Sequence, residues 1–161
     1  MNRRRHRENG VAAVEFALIA PLFIALVLGI ISYGYMLSFR QGMSQAAAEG
    51  ARVYAVAPSV SVSTTGALST KDAAIAAINR SLSSYGVTCT ATGGLTRGGA
   101  SAGTCTVPST SSNCSNNTAA KCVKVEIRYS YRANPLIPSF PGLGIVLPET
   151  LAYDTTVQVN S

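Results

Sequence analysis

From Val11 to Phe39 this chain carries one charged side chain, Glu15. As a helix rising 1.5 Å per residue, that stretch reaches about 43 Å. A bilayer's hydrocarbon core needs about 20 residues and ~30 Å. The sequence therefore predicts one membrane-spanning helix, over about 14–37, that emerges and continues. Residues 38–56 support the continuation: they are rich in Ala, Gln and Met, with Arg40, Glu49 and Arg52 for a wet face. Pro58 is the expected stop, so the helix is read as 11–57. Pro21 is expected to kink or loosen it.

Charge sets the orientation. Arg3, Arg4, Arg5 and Arg7 precede the apolar run, with only Glu8 against them. The positive-inside bias puts this end in the cytoplasm and the C-terminal domain outside. Tyr33, Tyr35 and Phe39 suit the outer interface. The formal net charge is +6, but without residues 1–10 nine basic and six acidic residues remain, scattered rather than clustered. That distribution argues against nucleic acid as a partner. A secretory signal has an apolar region of 7–15 residues; this one is about twice as long and contains a carboxylate.

Glu15 needs an explanation, because a carboxylate inside a bilayer is costly and functional by default. The bland account is a side chain near the membrane edge that reaches the headgroups.

The four cysteines, Cys89, Cys105, Cys114 and Cys122, all follow the apolar run. An even number in a small, loop-rich, exported region suggests two disulfides. Three pairings are open, and the spacing does not choose among them. A zinc site would need short Cys-x-x-Cys pairs or histidine partners, and the one histidine, His6, lies on the other side of the apolar run.

In the C-terminal domain, 58–161, Ser69-x-x-Asp72 reads as a capping box. Ile75, Ile78 and Leu82 share one face of the helix that follows, and Gly86 closes it. Short strands are expected at 87–91 and 104–107. Residues 92–119, rich in Gly, Ser, Thr and Asn, read as an exposed loop. Val123–Tyr131 and 151–159 alternate apolar and polar, as half-buried strands do, and can pair antiparallel. Residues 135–148 between them read as a rigid apolar loop. No catalytic constellation is visible. Gly93-Gly94 and Gly98-Gly99 lack the Lys-Ser/Thr of a phosphate loop. Asn113-Cys114-Ser115 and Asn116-Asn117-Thr118 match a short glycosylation pattern that is common in such loops.

The stretch Gly10-Val11-Ala12-Ala13-Val14-Glu15-Phe16-Ala17-Leu18-Ile19-Ala20-Pro21-Leu22 resembles a prepilin peptidase site opening a pilin helix. With Phe39-Arg40-Gln41 and Ala46-Ala47-Ala48-Glu49-Gly50-Ala51-Arg52, it resembles the TadE-like family, pseudopilins of the tight-adherence (Tad, Flp) pilus. The resemblance implies a leader, 1–10, cut after Gly10 on the cytoplasmic face, which makes Val11 the new N-terminus. Glu15 and Phe16 would then serve assembly, Glu15 by neutralising its own helix end or a neighbouring subunit's Val11 amine. It implies an α+β, pilin-like fold: a long N-terminal helix, then a small exported domain with a short helix and an antiparallel sheet. The implied partners are the membrane, a prepilin peptidase and other pilin or pseudopilin subunits, with no cofactor, metal or small-molecule substrate. The unprocessed single-pass anchor with an exported binding domain is the alternative, and a secreted module cut behind the apolar segment is a third reading. Small residues recur every four positions at Gly34, Ser38, Gly42, Ala46 and Gly50, a stripe that allows close helix packing of the kind expected in a pilus core. Ala13, Ala17, Ala25 and Gly29 follow a similar rule.

Overall fold

The computed structural model describes residues 3–57, 69–137 and 147–159, with side chains from Gly10 onward. Pro58 and residues 138–146 of the expected apolar loop lie outside the described residues. The chain forms two compact units, Met1–Met36 and Leu37–Ser161. One helix, α1 (Arg3–Val56), runs through the first and into the second. It begins eight residues before the expected start, within the segment read as a leader.

In the first unit the apolar side chains of α1 face outward. Phe16, Leu18 and Leu22 are each more than 70% exposed. An uninterrupted apolar helix with no protein against it is the composition that a bilayer solvates. Gly10–Val56 is long and apolar enough to cross a membrane.

The second unit is a helix pair on a sheet. The rest of α1 buries Phe39, Met43, Ala46, Ala47, Ala51 and Tyr54. The second helix, α2 (Thr70–Leu82), starts at Ser69 as the capping box requires: the Ser69 hydroxyl accepts from the Asp72 N–H at 3.1 Å and donates to the Asp72 carboxylate at 2.6 Å. Ile75, Ile78 and Leu82 are buried along one face. A single 3-10 turn, Ser83–Tyr85, ends in Gly86 at φ 65°, a left-handed conformation that suits glycine.

The sheet has six strands: β1 (Val87–Cys89), β2 (Gly94–Arg97), β3 (Ala100–Thr106), β4 (Ser112–Cys114), β5 (Asn117–Tyr129) and β6 (Leu151–Val159). All neighbours are antiparallel. β5 is central. β6 lies along one edge of it; β3 and β4 share the other, β3 against Glu126–Tyr129 and β4 against 117–122. The expected pairing of the two alternating strands is the β5–β6 ladder, with Val125 opposite Thr155. The core-facing residues of β5, Val123, Val125, Ile127 and Tyr129, are buried.

Residues 92–119 correct the sequence reading. Their composition reads as an exposed loop, whereas they hold β2, β3, β4 and the start of β5. Two glycines explain the β2–β3 hairpin. Gly98 and Gly99 both have positive φ, 56° and 85°, and join Arg97 to its partner Ala100 in a two-residue turn. β1 is shorter than expected because Thr90 starts a tight turn: Thr90 Oγ1 accepts from Gly94 N–H, and Gly93 takes φ 92°. β3 starts before the expected Thr104. β5 starts six residues before the expected Val123 and ends at Tyr129, where the Asn134 N–H turns back to the Ser130 carbonyl.

Candidate functional site

Gly10, Val11, Glu15 and Phe16 lie on α1 and are exposed. A Cβ at Gly10 would meet nothing within 4 Å. Val11 and Glu15 are four residues apart, about 6 Å along the axis and on one face.

The small-residue stripe divides. At Gly34 a Cβ would meet nothing within 4 Å. Ser38 is exposed, and from Gly42 onward the stripe is buried within the second unit. A Cβ at Gly42 would stand 2.7 Å from the Tyr85 ring, and one at Gly50 would stand 2.6 Å from Ile78 Cγ1. Ala46 between them is fully buried. The Tyr85 hydroxyl donates to the Ser38 carbonyl at 3.0 Å and lies 3.0 Å from the Ser38 hydroxyl. The close approach that the stripe allows is therefore made to α2 and its terminal turn, within the chain. Gly42, Ala46 and Gly50 are not free to meet the helix of a neighbour.

An aromatic cluster ties this part of α1 to the sheet. Phe39, fully buried, packs edge-on against Tyr85 at 5.0 Å and Tyr129 at 4.8 Å between ring centroids. The Tyr129 hydroxyl donates to the Asn134 carbonyl, and burial pushes the Tyr129 phenol above its ordinary range. On the wet side, Glu49 accepts two hydrogen bonds from Arg52, 2.9 and 3.0 Å. That guanidinium holds the Glu49 carboxyl below the usual carboxylate range. Both border a shallow groove of about 580 Å³ between α1 and α2, with Gln45, Arg80 and Ser81.

The cysteines form two disulfides, Cys89–Cys105 and Cys114–Cys122. The first is buried and joins β1 to β3; the second is half-buried and closes the β4–β5 hairpin. Their sulfurs are not thiolates, so they offer no zinc site. Among the described residues no cluster of three or more His, Cys, Asp or Glu could hold a metal ion.

Residues 10–52 match the family model described as TadE-like protein. The N-terminal segment is TadE-like. The match begins at Gly10 and covers Glu15, Pro21 and the whole stripe from Gly34 to Gly50. It takes in all of the exposed apolar helix and most of the α1 surface that α2 covers, and stops before the sheet. The TadE-like segment thus holds both the exposed apolar helix and most of the α1 residues that pack against α2. No curated protein and no solved structure matches the chain.

Sequence reasoning missed Tyr85 and Ile78 as the groups that fill the glycine gaps. It also missed Arg97 and Arg132. Arg97 donates to the Pro135 and Leu136 carbonyls, and Arg132 to the Leu147 carbonyl. The alternation showed Arg132 as a polar position, but which backbone acceptors an arginine reaches depends on tertiary structure.

Proposed function

We propose that this chain is a minor pilin or pseudopilin of a Tad (Flp)-type pilus. It is cut after Gly10 by a prepilin peptidase and contributes to pilus assembly, adhesion or biofilm formation. Its role is structural rather than catalytic. The observation that carries the reading is the TadE-like match, which opens at the glycine of the processing motif. The exposed apolar helix that follows supports a membrane-inserted precursor.

In this reading the arginine-rich end stays in the cytoplasm and the second unit is exported. Cleavage leaves a charged amine on Val11 and free amide donors at the new helix end. Glu15, one turn on, neutralises its own helix end or the Val11 amine of the subunit beside it. In low dielectric that pair is far stronger than in water, once desolvation is overcome. Packing between subunits falls to the part of α1 before Ser38, where Gly34 and the alanines leave room.

The test is the intact mass and N-terminal sequence of the membrane-extracted protein from its host. A chain starting at Val11 is expected. A start at Met1 or Asn2 would replace this reading with the unprocessed anchor, and a start beyond Ser38 with a secreted module.

A further inference from the structure

The two disulfides stand in opposite surroundings. Cys89 and Cys105 are 2% and 1% exposed. β1, which ends at Cys89, is also tied to α2: the Asn79 amide donates to the Cys89 carbonyl at 3.1 Å and accepts from the Cys89 N–H at 2.7 Å. Burial and hydrogen bonds hold this end of the sheet whatever the sulfurs do. Around Cys114 and Cys122 there is no such cover. From Pro108 to Cys122 no residue is buried, and both cysteines are half-buried.

β4 is held to β5 by little else. It pairs at Ser112–Cys122 and Asn113–Lys121; the register then shifts, and Cys114 pairs with Asn117. Thr118, Ala119 and Ala120 have no partner in β4. The Ala119 N–H turns instead to the Asn117 side-chain oxygen at 3.0 Å. One side-chain hydrogen bond crosses the pair, from the Lys121 ammonium to the Asn113 carboxamide oxygen at 2.7 Å, and it is exposed. On the other edge of β5, among the described residues, the β6 ladder ends at Lys121 and Val159. A two-stranded arm without an apolar face is marginal in water. The Cys114–Cys122 bond is therefore the main closure of the arm formed by residues 112–122.

The rest of the sheet has its own support. Val123, Val125, Ile127 and Tyr129 are buried, β6 runs beside them, and β3 pairs with Glu126–Tyr129. The arm also lies at the far end of its strand. Asn117 and Tyr129 are the two ends of β5, about 40 Å apart at 3.3 Å per residue, and Tyr129 is the end that packs on Phe39.

We propose that Cys114–Cys122 is a redox-sensitive latch: an external dithiol opens it, β4 comes off β5, and the remainder of the unit keeps its fold. One thiolate of the dithiol attacks a latch sulfur and forms a mixed disulfide; the other latch sulfur leaves as a thiolate and takes a proton from water. The dithiol's second thiolate then displaces the first latch sulfur. The dithiol departs as a disulfide, oxidised by two electrons, and Cys114 and Cys122 are left as two thiols. In an oxidising exterior the latch rests closed. The latch does not depend on cleavage after Gly10.

The test takes the full chain in detergent micelles, titrates it with dithiothreitol, blocks free thiols with N-ethylmaleimide and follows amide exchange on the same samples. Cys114 and Cys122 are expected to be labelled together while Cys89 and Cys105 stay paired. Loop closure over a separation of 8 residues corresponds to about 60-fold in the ratio of closed to open arm. Amide protection over 112–122 should fall by about that factor, with 123–129 unchanged, and should return on reoxidation. Cys114→Ser combined with Cys122→Ser is expected to show the open pattern without dithiol and to ignore dithiol. Lys121→Ala, which removes only the crossing hydrogen bond, should stay closed while oxidised. Protection over 112–122 that survives labelling of both cysteines, loss that spreads to 123–129, labelling of Cys89 and Cys105 at the same dithiol concentration, or opening of oxidised Lys121→Ala overturns the proposal.

Discussion

Ile78 of α2 occupies the space that a side chain at Gly50 of α1 would need: a Cβ there would lie 2.6 Å from Ile78 Cγ1 and 2.8 Å from its Cδ1. Overpacking such a contact costs about 1–3 kcal/mol, against about 1 kcal/mol gained from the better helix former. Gly50→Leu is expected to lower the denaturation midpoint of the second unit. Gly34→Leu, where a Cβ meets nothing, is expected to leave that midpoint unchanged and to reduce incorporation into filaments. Equal midpoints for the two variants would remove the internal-packing account.

Maturation separates from insertion at two other positions. Gly10→Leu should insert in the membrane and accumulate uncut, read as intact mass. Glu15→Ala should be cut normally and incorporate poorly, read as the ratio of filament-bound to membrane-bound protein. Normal processing of the first variant would rule out the proposed site. Normal piliation with the second would leave Glu15 only the headgroup role.

The two disulfides differ in separation and in cover. Cys89 and Cys105 are 16 residues apart, and Cys114 and Cys122 are 8 apart. Loop-closure entropy assigns them about 3 and about 2.5 kcal/mol. Burial adds to the first, because Cys89→Ser would put a hydroxyl at a residue that is 2% exposed. Cys89→Ser is therefore expected to destabilise more than Cys114→Ser in urea unfolding. Mild reductant should release the Cys114 and Cys122 thiols first, as counted by alkylation and mass. Release in the opposite order would contradict this assignment.

Alkaline pH should loosen the α1–sheet contact. The buried Tyr129 phenol is raised above the ordinary value of about 10. A raised folded-state value means that the stabilisation is fully present below about 10 and is lost as pH rises toward and through that raised value. Tyr54 is raised for the same reason, desolvation. Stability should fall above about pH 10, and Tyr129→Phe should flatten that fall. An absorbance titration in which all seven tyrosines ionise together near 10 would argue against it.

The span, the capped second helix and the β5–β6 ladder were legible because each rests on local chemistry: an apolar run, a Ser-x-x-Asp box, alternation at 123–131 and 151–159. The hairpins in 92–119 were obscured because their composition is that of a loop. Gly98-Gly99, which lacks the residues of a phosphate loop, is a turn with two positive φ values. The stripe at Gly34–Gly50 was legible as a place of close approach. Its occupant was not, since Tyr85 and Ile78 lie about 30 residues or more along the chain and meet Gly42 and Gly50 only on folding. The cysteine pairing likewise follows from strand register, which spacing does not supply.

Arg97 and Arg132 grip the chain on either side of residues 138–146 through main-chain oxygens at Pro135, Leu136 and Leu147, with the Arg132 amide on the Glu149 carbonyl. Carbonyls are the same whatever side chains they carry. Side-chain changes at Leu136 or Glu149 are therefore expected to leave these arginine ties, and with them the join between β5 and β6, in place.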